Sequence, residues 1–90
     1  MEAEISQDTG NPYLEEGEIR TFFDNTPEDE FVWHRDREDR WIEPLHDTDW
    51  QFQYENQLPQ PLTKLFIEKE TYHRLIKGNG DLKLKVIKCY

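Results

Sequence analysis

Short β-favouring runs, which turn residues interrupt at close intervals, constrain this chain more than any other feature. Between Trp50 and Tyr54, aromatic residues alternate with glutamines. That period of two predicts a strand with one buried face and one solvated face. No segment has the period of an amphipathic helix. Seven strands are predicted, over residues 18–23, 30–34, 41–45, 50–54, 64–67, 72–76 and 82–87.

This spacing of strands and turns predicts an all-β sandwich or barrel. The last two predicted strands flank the sequence Lys-Gly-Asn-Gly-Asp at residues 77–81. Turn residues of this kind between two strands are typical of a β-hairpin, so we expect these two strands to pair with each other.

Large rings are the natural core of a chain this short. The 90 residues allow one domain with a modest core, and the aromatic fraction is 13% although the apolar fraction is only 34%. Each buried ring removes roughly 150–250 Å² from water. We therefore predict a core of five rings, namely Trp33, Trp41, Trp50, Phe52 and Phe66.

The net charge of −9 is concentrated near the N-terminus. Residues 1–30 contain ten acidic residues and one basic residue, whereas residues 31–90 contain ten of each. Residues 1–17 are also poor in apolar side chains, which predicts an acidic flexible arm there and a folded barrel over residues 18–90. An acidic arm disfavours nucleic-acid binding, because phosphate would repel it, and favours a basic partner or a basic face of the chain itself.

Cysteine usage and hydropathy bear on location. Cys89 is the single cysteine, so no intrachain disulfide can form, which fits a reducing compartment. No apolar run approaches the roughly 20 residues of a membrane span. The N-terminus is acidic where a secretory signal would be basic and then apolar. We therefore expect a cytoplasmic protein with no membrane contact.

A dense run of charge at residues 33–40 contains the first candidate site residues. Residues i and i+2 of a strand point the same way, so His34 and Asp36 share a face. Asp39 follows closely, and His73 lies in a later predicted strand. Imidazole and carboxylate groups suit a divalent metal such as iron, manganese or zinc. These four residues are the predicted ligands.

The same run also supports a simpler interpretation. Its arginines could pair with its own carboxylates on an exposed loop, where each pair contributes only about 0–1 kcal/mol. His46, in a predicted turn, is expected to be a turn residue rather than a ligand. Four residues next to the candidate ligands are predicted to line a ligand pocket: Trp33, Arg40, Trp41 and Tyr72.

Residues 65–73 resemble the second motif of the cupin superfamily. In that motif an apolar strand runs into Ile-Pro-x-Gly-x-x-His, and the histidine is a metal ligand. Ile67 and His73 match it, while Glu68 replaces the proline and Glu70 replaces the glycine. The family glycine supplies a positive φ at low cost, so its loss implies an altered loop at Glu70.

Residues 34–45 resemble the first cupin motif, which is His-x-His followed by a glutamate, a strand and a glycine turn. His34 matches the first histidine, and Asp36 stands in place of the second. Glu38 or Asp39 falls near the glutamate, and residues 46–49 lie where the glycine turn would be.

The two segments have the order and spacing of the family over about residues 18–88, and the chain also resembles small cupin-like proteins of cyanobacterial phages. The resemblance implies a small double-stranded β-helix or jelly-roll barrel with a His/carboxylate metal site at its mouth. It leaves the activity unassigned. A homodimer through edge strands is a further expectation, and a phage origin would place the protein in the host cytoplasm or the virion.

A non-enzymatic function is the alternative. The chain would then be a phage accessory or structural protein that binds a host or virion protein. Its acidic arm and an aromatic surface would make the contact, and the charged run would be salt-bridged.

Overall fold

A computed structural model of the chain describes residues 13–89, and these residues form an all-β fold. The strand predicted over residues 30–34 is not formed: a short 3-10 helix, Glu28–Glu30, overlaps its first residue, and His34 makes only an isolated bridge. The described part of the chain has no helix long and apolar enough to cross a membrane. The strands are β1 Leu14–Glu16, β2 Ile19–Phe22, β3 Asp39–Pro44, β4 Gln51–Tyr54, β5 Gln60–Pro61, β6 Leu65–Ile67, β7 His73–Ile76 and β8 Leu82–Cys89.

The strands form two antiparallel sheets. The five-stranded sheet has the order β1-β2-β8-β3-β6, and the three-stranded sheet has the order β5-β4-β7. The predicted closed barrel is therefore wrong, because the two sheets do not join into a continuous one. The outer strands β1, β5 and β6 have only two or three residues, and such short strands limit pairing at a sheet edge.

One hydrophobic core lies between the two sheets. The central strand β8 buries Leu82, Leu84 and Val86 on one face and leaves Lys83 and Lys85 on the other, as its period of two requires. Trp50 is fully buried, and its indole Nε1–H donates to the Gly80 carbonyl at 3.0 Å. The buried core residues are Phe22, Ile42, Trp50, Phe52, Leu62, Ile67, Leu82, Leu84 and Val86.

Only two of the five rings predicted for the core are buried. Trp50 and Phe52 are confirmed, whereas Trp33, Trp41 and Phe66 are about 40% exposed. The cause is alternation. Ile42 and Ile67 occupy the inner face, which places the preceding rings of Trp41 and Phe66 on the outer face. There the two ring centroids lie 5.1 Å apart.

The predicted hairpin between the last two strands is wrong. β7 pairs with β4, whereas β8 pairs with β2 and β3, so residues 77–81 cross from one sheet to the other. Gly78 allows this crossing to pass close to the neighbouring backbone, since a Cβ there would lie 2.7 Å from the Trp50 nitrogen. Turn residues 77–81 thus connect strands of two different sheets and do not form a hairpin.

The N-terminal boundary of the folded region also differs from the prediction. Strand β1 lies within residues 1–17, which were predicted as the arm, and it pairs with β2 through a turn at Gly17, whose φ is +64°. The Tyr13 ring packs 5.2 Å from that of Phe22. Residues 13–16 therefore belong to the folded body, and residues 1–12 of the predicted arm lie outside the described residues.

Asp49 holds the crossing segment through two hydrogen bonds. Its Oδ1 accepts from the Asn79 backbone NH and its Oδ2 from the Asn79 side-chain amide, both at 2.8 Å. The bond from the Asn79 backbone, followed by that from its side chain, holds the pKa of Asp49 below its ordinary value. The carboxylate is therefore favoured in the folded state.

This arrangement predicts how Asp49→Asn changes stability with pH. A carboxyl group with a lowered folded pKa stabilises the protein above its unfolded pKa of about 3.9, and that contribution is lost as the pH falls through the folded value. The variant should thus be less stable than the wild type at pH 7, and the difference should shrink below about pH 4. Urea unfolding at a series of pH values measures it.

Asp47→Asn is the matched control, because it removes another exposed carboxylate from the same turn. A destabilisation by Asp49→Asn that stayed constant from pH 7 to pH 2 would contradict the assignment.

Candidate metal centre

Two histidines that are distant in sequence face each other across a single antiparallel bridge. The His34 amide donates to the His73 carbonyl at 3.0 Å, and the His73 amide donates to the His34 carbonyl at 2.9 Å. Residues directly opposite in an antiparallel pair have side chains on the same face. The two imidazole centroids accordingly lie 4.4 Å apart.

Both histidine rings are oriented by the backbone in the same way. His34 Nδ1 lies 3.0 Å from the Val32 carbonyl oxygen, and His73 Nδ1 lies 2.7 Å from that of Thr71. A carbonyl oxygen only accepts, so each Nδ1 carries a proton and donates it. In the neutral form of each ring, Nε2 is then the atom whose lone pair can bind a ligand. Metal-binding histidines are commonly fixed by such a bond from the other ring nitrogen.

Asp36 completes the group from the loop between His34 and β3. Its side chain is buried, and its Oδ2 lies 3.4 Å from His73 Nε2 yet has no hydrogen-bond partner among residues 13–89. Its Oδ1 lies 3.4 Å from Arg40 Nη2. Ligand atoms of His34, Asp36 and His73 all lie within 4.8 Å of one another. These three side chains could therefore hold a metal ion.

The protonation states of this group suit a cation. Burial lowers the pKa of the His34 imidazole, and the neighbouring His73 lowers it further, so His34 is neutral at pH 7. Burial by itself would raise the pKa of Asp36, but His73 and the charge of Arg40 outweigh it and hold that pKa below its usual value. A neutral imidazole and an ionised carboxylate are the forms that bind metals.

Asp39 lies outside this group. Its Oδ1 accepts a hydrogen bond from the Lys69 amide at 2.8 Å, and the nearby Glu70 amide donates to the Asp36 carbonyl at 2.7 Å. Asp39 therefore fastens the loop before His73 to the segment that contains Asp36. It positions the candidate ligands from β3, where its backbone pairs with Cys89.

Glu70 takes a left-handed conformation, with φ at +60°. This is the conformation that the family glycine would supply at low cost, so position 70 keeps a positive φ although the loss of that glycine predicts an altered loop. A residue with a Cβ pays roughly 1–2 kcal/mol for it. The loop is held there by the Asp36 carbonyl, and Arg35 pairs with the Glu70 carboxylate at 3.2 Å.

Two substitutions at position 70 separate backbone strain from the ion pair. Both Glu70→Gly and Glu70→Ala remove the contact with Arg35, but only alanine has a Cβ and is therefore strained at this positive φ. The glycine variant should therefore be the more stable of the two by about 1 kcal/mol. Urea unfolding with linear extrapolation measures the difference. An alanine variant of equal or greater stability would contradict this account of the loop.

A cavity of about 110 Å³ adjoins the three side chains. Arg40, one of the predicted pocket residues, lines it together with His34, Asp36 and His73. Its walls are mostly apolar and come from both sheets. The other lining residues are Tyr13, Arg20, Phe22, Glu30, Phe31, Val32, Ile42, Phe52, Ile67, Leu75, Leu84 and Val86.

The three aromatic residues predicted for the pocket do not line this cavity. Trp33 and Tyr72 are partly exposed beside it, and each ring is covered by a guanidinium group, from Arg74 at 4.5 Å and Arg35 at 5.3 Å. Trp41 lies on the outer face of β3. Neighbours of an inward residue point outward on a strand, so closeness in sequence to the ligands did not bring these rings into the cavity.

Arg20 lines the cavity but was not proposed as a site residue. The signal for it was present, because Arg20 and the core residue Phe22 are two apart on β2 and share a face. His46 has the turn role that was predicted for it. Its Nδ1–H donates to the Asp47 carbonyl, and its Nε2 accepts from the Lys83 amide, both at 2.9 Å.

Comparison of the chain with protein-family models, with curated proteins and with solved structures found no match. The fold and the site together define an all-β protein with a buried two-histidine, one-carboxylate group beside a small cavity.

Proposed function

We propose that this protein is a small cupin-like binding protein whose His34, Asp36 and His73 hold a divalent metal. The observation that carries the proposal is the buried, unpartnered Oδ2 of Asp36, which faces the ligand side of His73. A buried carboxylate oxygen without a partner is costly. A cation among the three side chains would satisfy it, and the cavity leaves room for further ligands.

Iron, manganese and zinc fit this donor set best. Two imidazole nitrogens and one carboxylate oxygen form the set used by non-haem iron sites with open positions, and by catalytic zinc sites. A bound metal would act there as a Lewis acid or lower the pKa of a bound water. Asp36 fits both interpretations of the charged run, the ion pair and the metal site. One of its oxygens faces Arg40, and the other faces His73.

The order of strand pairing supports the cupin-like part of the proposal. Counting the His34 bridge as an extended segment between β2 and β3, there are eight segments from β2 to β8. They pair as first-eighth-third-sixth in one sheet and second-seventh-fourth-fifth in the other. This order is the one expected of a double-sheet jelly roll, the architecture of cupins, and it therefore supports the proposal. The two candidate histidines then lie on the second and seventh segments, and Asp36 follows the second.

Metal titration of the purified full-length chain tests the proposal. Zn²⁺ or Mn²⁺ should bind one per chain and raise the melting temperature, because a ligand that binds the native state stabilises it. His73→Ala and Asp36→Asn should each weaken metal binding at least about tenfold, since each removes one of three ligands. Calorimetry and elemental analysis measure affinity and stoichiometry.

His46→Ala is the matched control, because it removes a histidine that lies outside the group. It should leave the metal affinity unchanged. Absence of bound metal, with no shift in melting temperature on adding Mn²⁺, Fe²⁺ or Zn²⁺, would overturn the proposal.

A second candidate is the non-enzymatic phage accessory or structural protein, which would be cytoplasmic in the host or part of the virion. Its support is an exposed row on the outer face of the five-stranded sheet. Trp41 pairs with Phe66 on one side and Ile87 on the other, and all three are more than one-third exposed. The Lys64 ammonium lies 5.5 Å from the Trp41 ring centre. Contiguous exposed apolar groups are typical of interaction surfaces.

Trp41→Ser separates this candidate from the first. If the outer row is the functional surface, the substitution should abolish association with a second copy or a partner protein and leave metal affinity unchanged. Sedimentation of the chain, alone and with a candidate partner, measures it. Trp33→Ser is the control, because it removes an equally exposed tryptophan elsewhere. Identical sedimentation of wild type and Trp41→Ser would exclude this surface.

A further inference from the structure

We propose that the cavity binds a small organic acid, with one carboxylate on Arg20 and a second oxygen donor directed at the metal position. The inference rests on the proposed metal site and names the class of molecule that shares the cavity with the metal. Arg20 and the candidate ligands line the same cavity of about 110 Å³.

Arg20 projects into the interior of the protein. It is two residues from the buried Phe22 on β2, and its backbone pairs with the buried Leu84 of β8. Its side chain is only 12% exposed. A cation on an inner sheet face loses hydration and needs an anion to replace it.

The pairing of Arg20 within residues 13–89 is weak. Its Nε is buried and has no hydrogen-bond partner, because the nearest carboxylate oxygen, that of the half-exposed Glu15, lies 3.4 Å away. The Tyr13 ring covers one side of the guanidinium at 4.6 Å. A planar guanidinium with free donors is suited to binding a carboxylate through two parallel hydrogen bonds.

Arg40, the second cavity arginine, is satisfied by comparison. Its Nη2 and Nε bond to the Glu38 carboxylate at 2.6 and 2.9 Å, and Nη2 also faces Asp36. Its charge therefore orients the metal ligands. Of the two arginines, only Arg20 has a buried N–H without a hydrogen-bond partner in the described part of the chain.

The cavity walls restrict the rest of the ligand. Apolar side chains such as Ile42, Phe52 and Leu84 line the cavity that Arg20 and the metal position share. An apolar wall favours a short hydrocarbon segment over a bare inorganic anion. The cavity is partly open to solvent, and its small volume limits the ligand to a short chain of a few carbons between its two oxygen-bearing ends. The exposed residues Glu30 and Val32 form the rim through which it would enter.

Binding of simple dicarboxylates to the metal-loaded full-length chain tests the inference. In the presence of saturating Mn²⁺, one member of the series malonate, succinate, glutarate should bind, and its neutral diamide should not. Arg20→Met should weaken that binding at least about tenfold while leaving Mn²⁺ affinity unchanged. Lys83→Met, which removes a cation from the outer face of the same sheet, should change neither.

The melting temperature of the Arg20→Met variant, measured without metal or dicarboxylate, tests separately whether Arg20 stabilises the fold. Methionine keeps the apolar stem and removes a poorly paired buried charge, so the variant should melt no lower than the wild type. Arg20→Lys should keep the charge but not restore dicarboxylate affinity, because lysine lacks the planar fork.

The outcomes distinguish the two proposals. Metal binding without dicarboxylate binding, or dicarboxylate binding that survives Arg20→Met, overturns this inference and leaves the metal site standing. Failure of the chain to bind metal overturns both. Metal binding with Arg20-dependent dicarboxylate binding supports both.

Discussion

The reciprocal hydrogen bonds between the His34 and His73 backbones are the interaction on which the site depends. They attach the charged segment before β3 to the edge of the three-stranded sheet. Because the two residues are directly opposite, their rings must share a face, and Asp36 follows on the same side. Without this bridge, the carboxylate would not reach His73 and the cavity would lose one wall. The loop bonds to Asp39 and Glu70 reinforce the same attachment.

Charge buried in a small core is the second constraint. A chain of this size buries a modest fraction of its surface, and each interior ion has a desolvation penalty. Here Arg40 and Glu38 largely satisfy each other, whereas Asp36 and Arg20 each keep an atom without a hydrogen-bond partner. Both unpartnered atoms belong to residues that line one cavity. Two buried atoms without hydrogen-bond partners do not stabilise the fold, and their position at one cavity is what a ligand-binding site requires.

Local periodicity made part of this architecture predictable. Alternation identified β4, and the same period of two accounts for the inward side chains of β8 and for the shared face of Arg20 and Phe22. It also made the sharing of a face by His34 and Asp36 predictable. The wrong core predictions arose where two adjacent apolar residues could each have occupied the inner face of a strand. Trp41 has the greater apolar area, yet the smaller Ile42 has the inner position because the register with β8 directs it there. The turn chemistry of residues 77–81 was recognised, but its partner strands were not.

Sequence patterns alone thus predicted an all-β chain, six of its eight strands, and a histidine and a carboxylate on one face with a second histidine in a later strand. Only the tertiary structure decided that the sheets stay separate, that β7 and β8 do not pair, and that Asp36 rather than Asp39 joins the histidines. The difference lies in the sequence separation of the interactions involved. Side-chain direction along a strand follows from local backbone geometry, whereas pairing and register depend on which faces can be buried together across the whole chain.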